Sequence, residues 1–152
     1  MHSILDIILT PEFAFSAIRV TTPILFAALG ALISDRAGSV NIGLEGIMLM
    51  ASLAGVVFSA YTQSALIGLL GAVLIGLISA SALAYFTLKL KTDVILGGIA
   101  INFFANGATI FALYYITGDR GTSASLSSMV LPNVTIPIID KIPVIGEIFS
   151  GH

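Results

Sequence analysis

Charge is what this sequence has least of. Only 9% of its 152 residues are charged, while 57% are hydrophobic, and the mean hydropathy is +1.09. Soluble domains carry about 25% charged residues. So few charges cannot clothe a water-soluble globule of this size, and composition points to an integral membrane protein. Cysteine is absent, which excludes disulfides, thiolate metal sites and thiol redox chemistry. The two histidines, His2 and His152, stand at the chain ends and are given no role. Without an internal His or Cys, most metal chemistry lacks its usual ligands, so no metal and no cofactor is expected. A net charge of −2 leaves no basic excess for nucleic acid. No nucleophile–base pair, carboxylate dyad or phosphate loop is found. In particular there is no GxxxxGK[ST], so the chain is read as a non-enzyme that does not hydrolyse ATP itself. The N-terminus lacks the basic region of a secretory signal, since its first charged side chain is Asp6. The first apolar segment is therefore expected to stay in the mature protein.

What is present is a series of apolar runs divided by charges. The stretch between Arg19 and Asp35 has 15 residues, short of the roughly 20 that a bilayer requires. The first span is therefore placed at about 13–34, with Arg19 near an interface and Pro23 able to bend the helix. From Gly46 to Leu88 the chain runs 43 residues without a charge. A single helix of that length would extend about 65 Å, twice the hydrocarbon thickness. It must turn once, and the polar cluster Tyr61, Thr62, Gln63, Ser64 marks the place. That gives spans at about 42–61 and 65–88, and a fourth at 94–117. Residues 1–117 thus form a four-helix transmembrane region, with a polar, glycine-containing break before the second helix. Residues 118–152 form a proline-rich external tail, small and polar over 118–128 and broken by Pro132, Pro137 and Pro143. The fold class is all-α, integral to the membrane. Lys89 and Lys91 put the third connection on the cytoplasmic side, and Arg36 does the same for the first with less force.

Three sets of residues four apart carry the functional reading. Gly68, Ala72, Gly76, Ala80 and Ala84 keep small side chains near one face of the third helix, which suits close helix packing. Asn102 and Asn106, with Gly98 on the same face, cannot be left facing lipid. Two readings fit them: hydrogen-bonding glue between helices, or the lining of a transport path. Asn41 and Glu45 form the third set. If the second helix begins near Asn41, with Asn41 as its N-cap, both side chains point the same way. A charge at mid-helix is disfavoured by roughly 2.5–3.5 kcal/mol in a membrane, whereas a helix N-terminus returns only about 0.3–1 kcal/mol. Glu45 therefore needs a partner, water or a proton if it lies deep, and Arg36 is one candidate partner. The alternative is a helix-start residue at the interface. Gly38, Gly43 and Gly46 around this pair allow close approach and unusual backbone angles. A polar, glycine-bearing break at the start of a membrane helix is a pointer to a transport path. Met48 and Met50, in the same helix, are read as apolar filler.

The run TPILFAALGALISDRAGSVNIGLEGIMLM, Thr22 to Met50, resembles the start of bacterial ABC transporter permeases of the branched-chain amino acid, ribose and nucleoside class. It is nearest to the nucleoside (simple sugar) permeases. KTDVILGGIAINFFANGAT, Lys91 to Thr109, resembles a later stretch of the same family, and IPVIGEIF resembles its external loop. The resemblance implies a permease subunit of an ATP-driven importer in a bacterial inner membrane. Its implied partners are a second permease subunit, an ABC ATPase, and an extracytoplasmic substrate-binding lipoprotein. Asn41, Glu45, Asn102 and Asn106 become candidates for the substrate path. Such permeases are about twice as long, so the chain is expected to be the N-terminal half, without the segment that grips the ATPase. Two other readings stand beside it: a secondary transporter or channel subunit using Glu45 as an intramembrane carboxylate, and a purely structural membrane subunit.

Overall fold

The computed structural model describes residues 10–118 and 122–131. The proline-rich stretch expected over 132–149 lies outside the described residues. The chain divides into two units, residues 31–131 and residues 1–30 together with 132–152. Among the described residues every regular element is helical, and four helices are long and apolar enough to cross a membrane.

Helix α1 (Pro11–Arg36) opens with proline at its first position, where the missing N–H would have had no acceptor anyway. Thr10 Oγ1 accepts the Phe13 N–H at 3.4 Å. The helix runs through Pro23 without a break in its 26 residues. None of its described side chains is fully buried, and Val20, Ile24 and Phe26 stand outward. Such a surface suits lipid or neighbouring helices and has no place in water.

The unit formed by residues 31–131 is built on helices α2 (Leu44–Thr62), α3 (Ala65–Ala84) and α4 (Val94–Thr117). Gln63, in the left-handed conformation (φ 52°), turns the chain between α2 and α3. The turn thus falls inside the polar cluster 61–64. The third helix is α-helical only to Ala84. Tyr85–Lys89 then widen into a π turn, closed by the Leu90 N–H on the Tyr85 carbonyl at 3.2 Å. Apolar periodicity does not signal that change of winding. Asp93 caps α4 by accepting the N–H groups of Ile95 (2.8 Å) and Leu96 (3.1 Å). Gly118, at φ +78°, ends α4 and returns its N–H to the Tyr114 carbonyl, the left-handed cap that glycine adopts without a Cβ penalty.

Helices α2 and α3 pack antiparallel through small residues on both sides. A Cβ on Gly68 would lie 2.7 Å from Ser59 Cβ and 2.8 Å from the Gly55 carbonyl oxygen. A Cβ on Gly55 would lie 3.3 Å from that of Ala72, and one on Gly76 would lie 3.7 Å from that of Ala51. Gly71 adds to the seam, because a Cβ there would run into the Phe58 ring. Lipid tails are as apolar as leucine, so helices in a membrane gain by close backbone approach more than by burying oil. Gly68, Ala72 and Gly76 carry the seam, but Ala80 and Ala84 do not. They are exposed, and with Val40 and Asn41 of the α1–α2 connection they line a cavity. Farther along, Ser79 donates to the Ile75 carbonyl at 2.8 Å and lies 3.8 Å from Met50 Sδ.

Helix α4 runs parallel to α2. Ala105, Thr109 and Leu113 are buried on one stripe, Ala105 completely. After α4, residues 122–131 return to the end of α2. There the buried Ser59 accepts the Met129 N–H at 2.9 Å and donates to the Met129 carbonyl at 3.4 Å.

Candidate functional site at the head of α2

The connection from α1 to α2 turns sharply and then dips into the bundle. Ser34 Oγ donates to the Ser39 carbonyl at 2.6 Å. Gly38 adopts φ +86° with open space where its Cβ would be, so this glycine serves backbone angle alone. The chain then enters α2 with Gly43 as the N-cap, and no side chain caps the helix. A helix start leaves its first N–H groups without intrahelical acceptors, and hydrocarbon cannot supply them.

Asn102 supplies the missing partner. Its Oδ1 accepts the Gly46 N–H at 2.8 Å, and its Nδ2 donates to the Ile42 carbonyl at 2.9 Å. One carboxamide thus satisfies a donor and an acceptor on either side of the helix start. Asn102 lies eight residues into α4, about 12 Å along its axis. Helix α2 therefore begins roughly a third of the way along its neighbour.

Glycine makes that approach possible. A Cβ on Gly46 would lie 2.8 Å from Asn102 Oδ1 and 2.9 Å from Asn102 Cα. One on Gly98 would lie 2.9 Å from the Gly43 nitrogen and from Ile42 Cβ, and one on Gly43 would lie 2.6 Å from Ile101 Cγ2. Gly43, Gly46 and Gly98 are all buried. They serve space here, in contrast to Gly38.

Asn41 does not share a helix face with Glu45. Because α2 starts at Leu44, Asn41 precedes the helix and is not its N-cap. It is half-buried in a cavity of about 210 Å³ that also touches Ser34, Ser39, Ala80, Ala84 and Thr87. Its Oδ1 is buried and meets no hydrogen-bond donor among the described residues. Glu45 sits in the first turn of α2, level with the Asn102 junction, and its side chain is exposed. Arg36 is exposed as well, and no ion pair joins the two among the described residues.

Asn106 and Asn102 part company in environment. Asn106 Nδ2 donates to the Asn102 carbonyl at 3.1 Å, and its side chain is exposed. It lines a cavity of about 240 Å³ between α2 and α4, together with Ser52, Thr109, Ser123 and apolar residues including Leu53 and Val56. Ser52 follows Glu45 by seven residues and so falls on the same side of α2. Ser52 on α2, with Asn106 and Thr109 on α4, brings polar side chains to both walls of an otherwise apolar groove. Sequence reading passed over Ser52, Thr109 and Ser123, which look like ordinary helix and loop residues. The signal available was the seven-residue spacing from Glu45. It also missed the stripe Ala51, Gly55, Ser59, although its spacing of four is the same as that seen on α3.

Adjacent glycines give a sharp check on the crossing. Gly98→Ala is expected to lower unfolding free energy by about 1–3 kcal/mol through overpacking against Ile42 and Gly43. Gly97→Ala would meet only Leu83 Cδ1 at 3.4 Å and Thr87 Cγ2 at 3.5 Å. It is expected to leave stability unchanged or raise it by up to about 1 kcal/mol, the helical gain of alanine over glycine. Denaturant titration of both variants in detergent micelles measures the difference.

Comparison with known proteins bears on the whole of this unit. Residues 13–144 match the family described as branched-chain amino acid transport system / permease component. The chain is 32% identical over 137 residues to the nucleoside ABC transporter permease protein NupC of Lactococcus lactis, covering 85% of this chain and 42% of that protein. It is 32% identical over 152 residues to the guanosine ABC transporter permease protein NupQ of Bacillus subtilis, covering 96% of this chain and 46% of the relative. Identity is 30% over 138 residues to TsgC13 of Haloferax volcanii, a permease protein provisionally named for glucose ABC transport, covering 88% and 40%. The chain thus spans less than half the length of these curated relatives. No solved structure matches it. All three names are those of ABC permease proteins, and none supports a carboxylate-driven secondary transporter. The chain is a helical membrane protein that belongs to the family of branched-chain amino acid transport system permease components.

Proposed function

We propose that this chain contributes its helices to the permease subunit of an ATP-driven ABC importer for nucleosides or related sugars. The observation that carries the reading is the family match over residues 13–144, joined to a helix that starts inside the bundle with polar groups at its head. The names of NupC, NupQ and TsgC13 supply the solute class. In this reading the subunit works in a bacterial cell membrane with a second permease subunit, a separate ABC ATPase and an extracytoplasmic binding lipoprotein. The ATPase partner belongs to this reading because the relatives are named as ABC transporter permease proteins. ATP binding there would shift the pore between inward- and outward-open states.

The groove between α2 and α4 is the stretch of the path that this chain offers. Glu45, exposed in the first turn of α2 and two turns before Ser52, would meet the solute before it enters the groove. Asn102 shapes the groove from behind by holding the head of α2, and Asn106 faces into it. Asn41 lies behind the junction and belongs to the connection. In this reading that end of the bundle faces the cytoplasm, which Lys89 and Lys91 next to the start of α4 support through the positive-inside rule. Gln63 and the 122–131 segment then lie at the outer end.

Two measurements test this. In cells lacking other nucleoside importers, the chain within its complete transporter is expected to support uptake of labelled guanosine. Glu45→Ala is expected to reduce that uptake by about tenfold or more, corresponding to a lost interaction of roughly 1.4 kcal/mol. Uptake unchanged by the substitution would make Glu45 a bystander. The chain has no native cysteine, so introduced thiols report topology directly. Lys91→Cys is expected to react with an impermeant maleimide only from the cytoplasmic side, and Gln63→Cys only from outside. Reversed labelling would overturn the orientation.

A further inference from the structure

The helix walls of the cavity between α2 and α4 carry more hydrogen-bond acceptors than donors. Ser52 Oγ donates its proton to the Leu49 carbonyl at 2.9 Å. Thr109 Oγ1 donates to the Ala105 carbonyl at 2.7 Å. Asn106 spends an amide N–H on the Asn102 carbonyl at 3.1 Å. The hydroxyl protons are therefore committed within their own helices. The helix walls thus offer a solute the lone pairs of Ser52 Oγ, of Thr109 Oγ1 and of Asn106 Oδ1, against one donor, the second amide N–H of Asn106. Ser123 is the remaining polar group on the wall. No charged side chain lines the cavity, so nothing there compensates a bare anion.

At about 240 Å³ the cavity lies just below the range of roughly 300–1,000 Å³ typical of small-molecule pockets. A solute in it meets apolar wall from Leu53, Val56, Ile110 and Leu113, and acceptors from the polar groups. An unpaired donor in such a site costs about as much as a lost hydrogen bond, and an unpaired acceptor on the wall costs the same in reverse. The best-matched solute is therefore uncharged, partly apolar and rich in O–H and N–H donors. A phosphorylated solute brings acceptors and negative charge, and is mismatched on both counts.

Resting on the permease reading above, we propose that Ser52, Asn106 and Thr109 form an acceptor station on the transport path. It would take the hydroxyl and amino donors of an uncharged nucleoside or sugar, with Asn106 Oδ1 as the specificity-determining acceptor. Asn106 is singled out because its side chain is exposed to the cavity and its oxygen accepts no hydrogen bond within the described residues.

The test compares two neutral substitutions of the same shape that both remove the amide. Asn106→Thr keeps an oxygen acceptor, with its hydroxyl proton able to bond the Asn102 carbonyl four residues back, and Asn106→Val removes it. Guanosine is the probe, in proteoliposomes holding the complete transporter with its ATPase and a saturating amount of loaded binding protein. Asn106→Val is expected to cut guanosine turnover by about 3- to 10-fold, the loss of one hydrogen bond. Asn106→Thr is expected to retain at least about half of the wild-type turnover, as an acceptor is kept. Thermal unfolding midpoints of the two variants show whether both are folded. Equal loss in both variants would overturn the proposal, since the shared defect is then the loss of the amide N–H groups. Unchanged turnover in Asn106→Val would overturn it as well. Lack of guanosine uptake by the wild-type transporter would instead overturn the permease reading for this solute, and the acceptor station with it.

Discussion

A helix that begins inside an apolar bundle must find partners for its first backbone N–H groups, and this structure depends on how that is done. Water is not at hand, and no serine, threonine or aspartate caps α2. The carboxamide of Asn102 takes the Gly46 N–H and covers the Ile42 carbonyl in one stroke. An unsatisfied backbone group in hydrocarbon costs several kcal/mol, so both bonds matter to whether α2 starts where it does. If α2 began at another depth, Ser52 would no longer stand opposite Asn106 and Thr109, and the groove would lose one polar wall. The position of the candidate path is thus set by one side chain on a neighbouring helix.

That arrangement demands close backbone contact, and the glycines meet the demand in two places with different partners. At the α2–α4 crossing, Gly43, Gly46 and Gly98 let the connection press against the backbone of α4. Along the α2–α3 seam, Gly55, Gly68 and Gly71 let two long helices approach side by side. The crossing fixes depth and the seam fixes register. Helix α2 is held by both, whereas α3 and α4 touch each other mainly at their shared end. The outward faces remain apolar and open, with Phe103, Phe104, Phe111 and Tyr115 exposed. Such faces are expected of a subunit that meets lipid or further helices.

Much of this was legible in the sequence. The number of long apolar helices followed from bilayer length and the scarcity of charge, because those constraints act locally and leave few solutions. The turn at Gln63 followed from a single polar cluster. The pairing of Asn102 with residues 42 and 46 did not, because it joins positions 56 and 60 residues apart and no local pattern encodes the partner. Of the two readings of the asparagines, glue describes Asn102, which bonds across helices; Asn106 lines a cavity, and its place on a transport path is proposed above. Asn41 was misplaced for a related reason. Its fitness as an N-cap is a local preference, overridden when Gly43 and Asn102 start the helix two residues later. Ala80 and Ala84 continue the small-residue periodicity of α3, but periodicity along one helix does not tell which of its positions a partner helix covers.

The central claim is that Asn102 holds the head of α2, and amide hydrogen exchange at Gly46 tests it most directly. In the protein reconstituted in nanodiscs, the Gly46 amide is expected to be protected although it lies in the first turn of a helix. In Asn102→Leu that protection is expected to fall, while Ile47, whose N–H is bound to the Gly43 carbonyl at 3.1 Å, keeps more of its own. A Gly46 amide that exchanges freely in the wild type, or that stays equally protected in Asn102→Leu, would contradict the account.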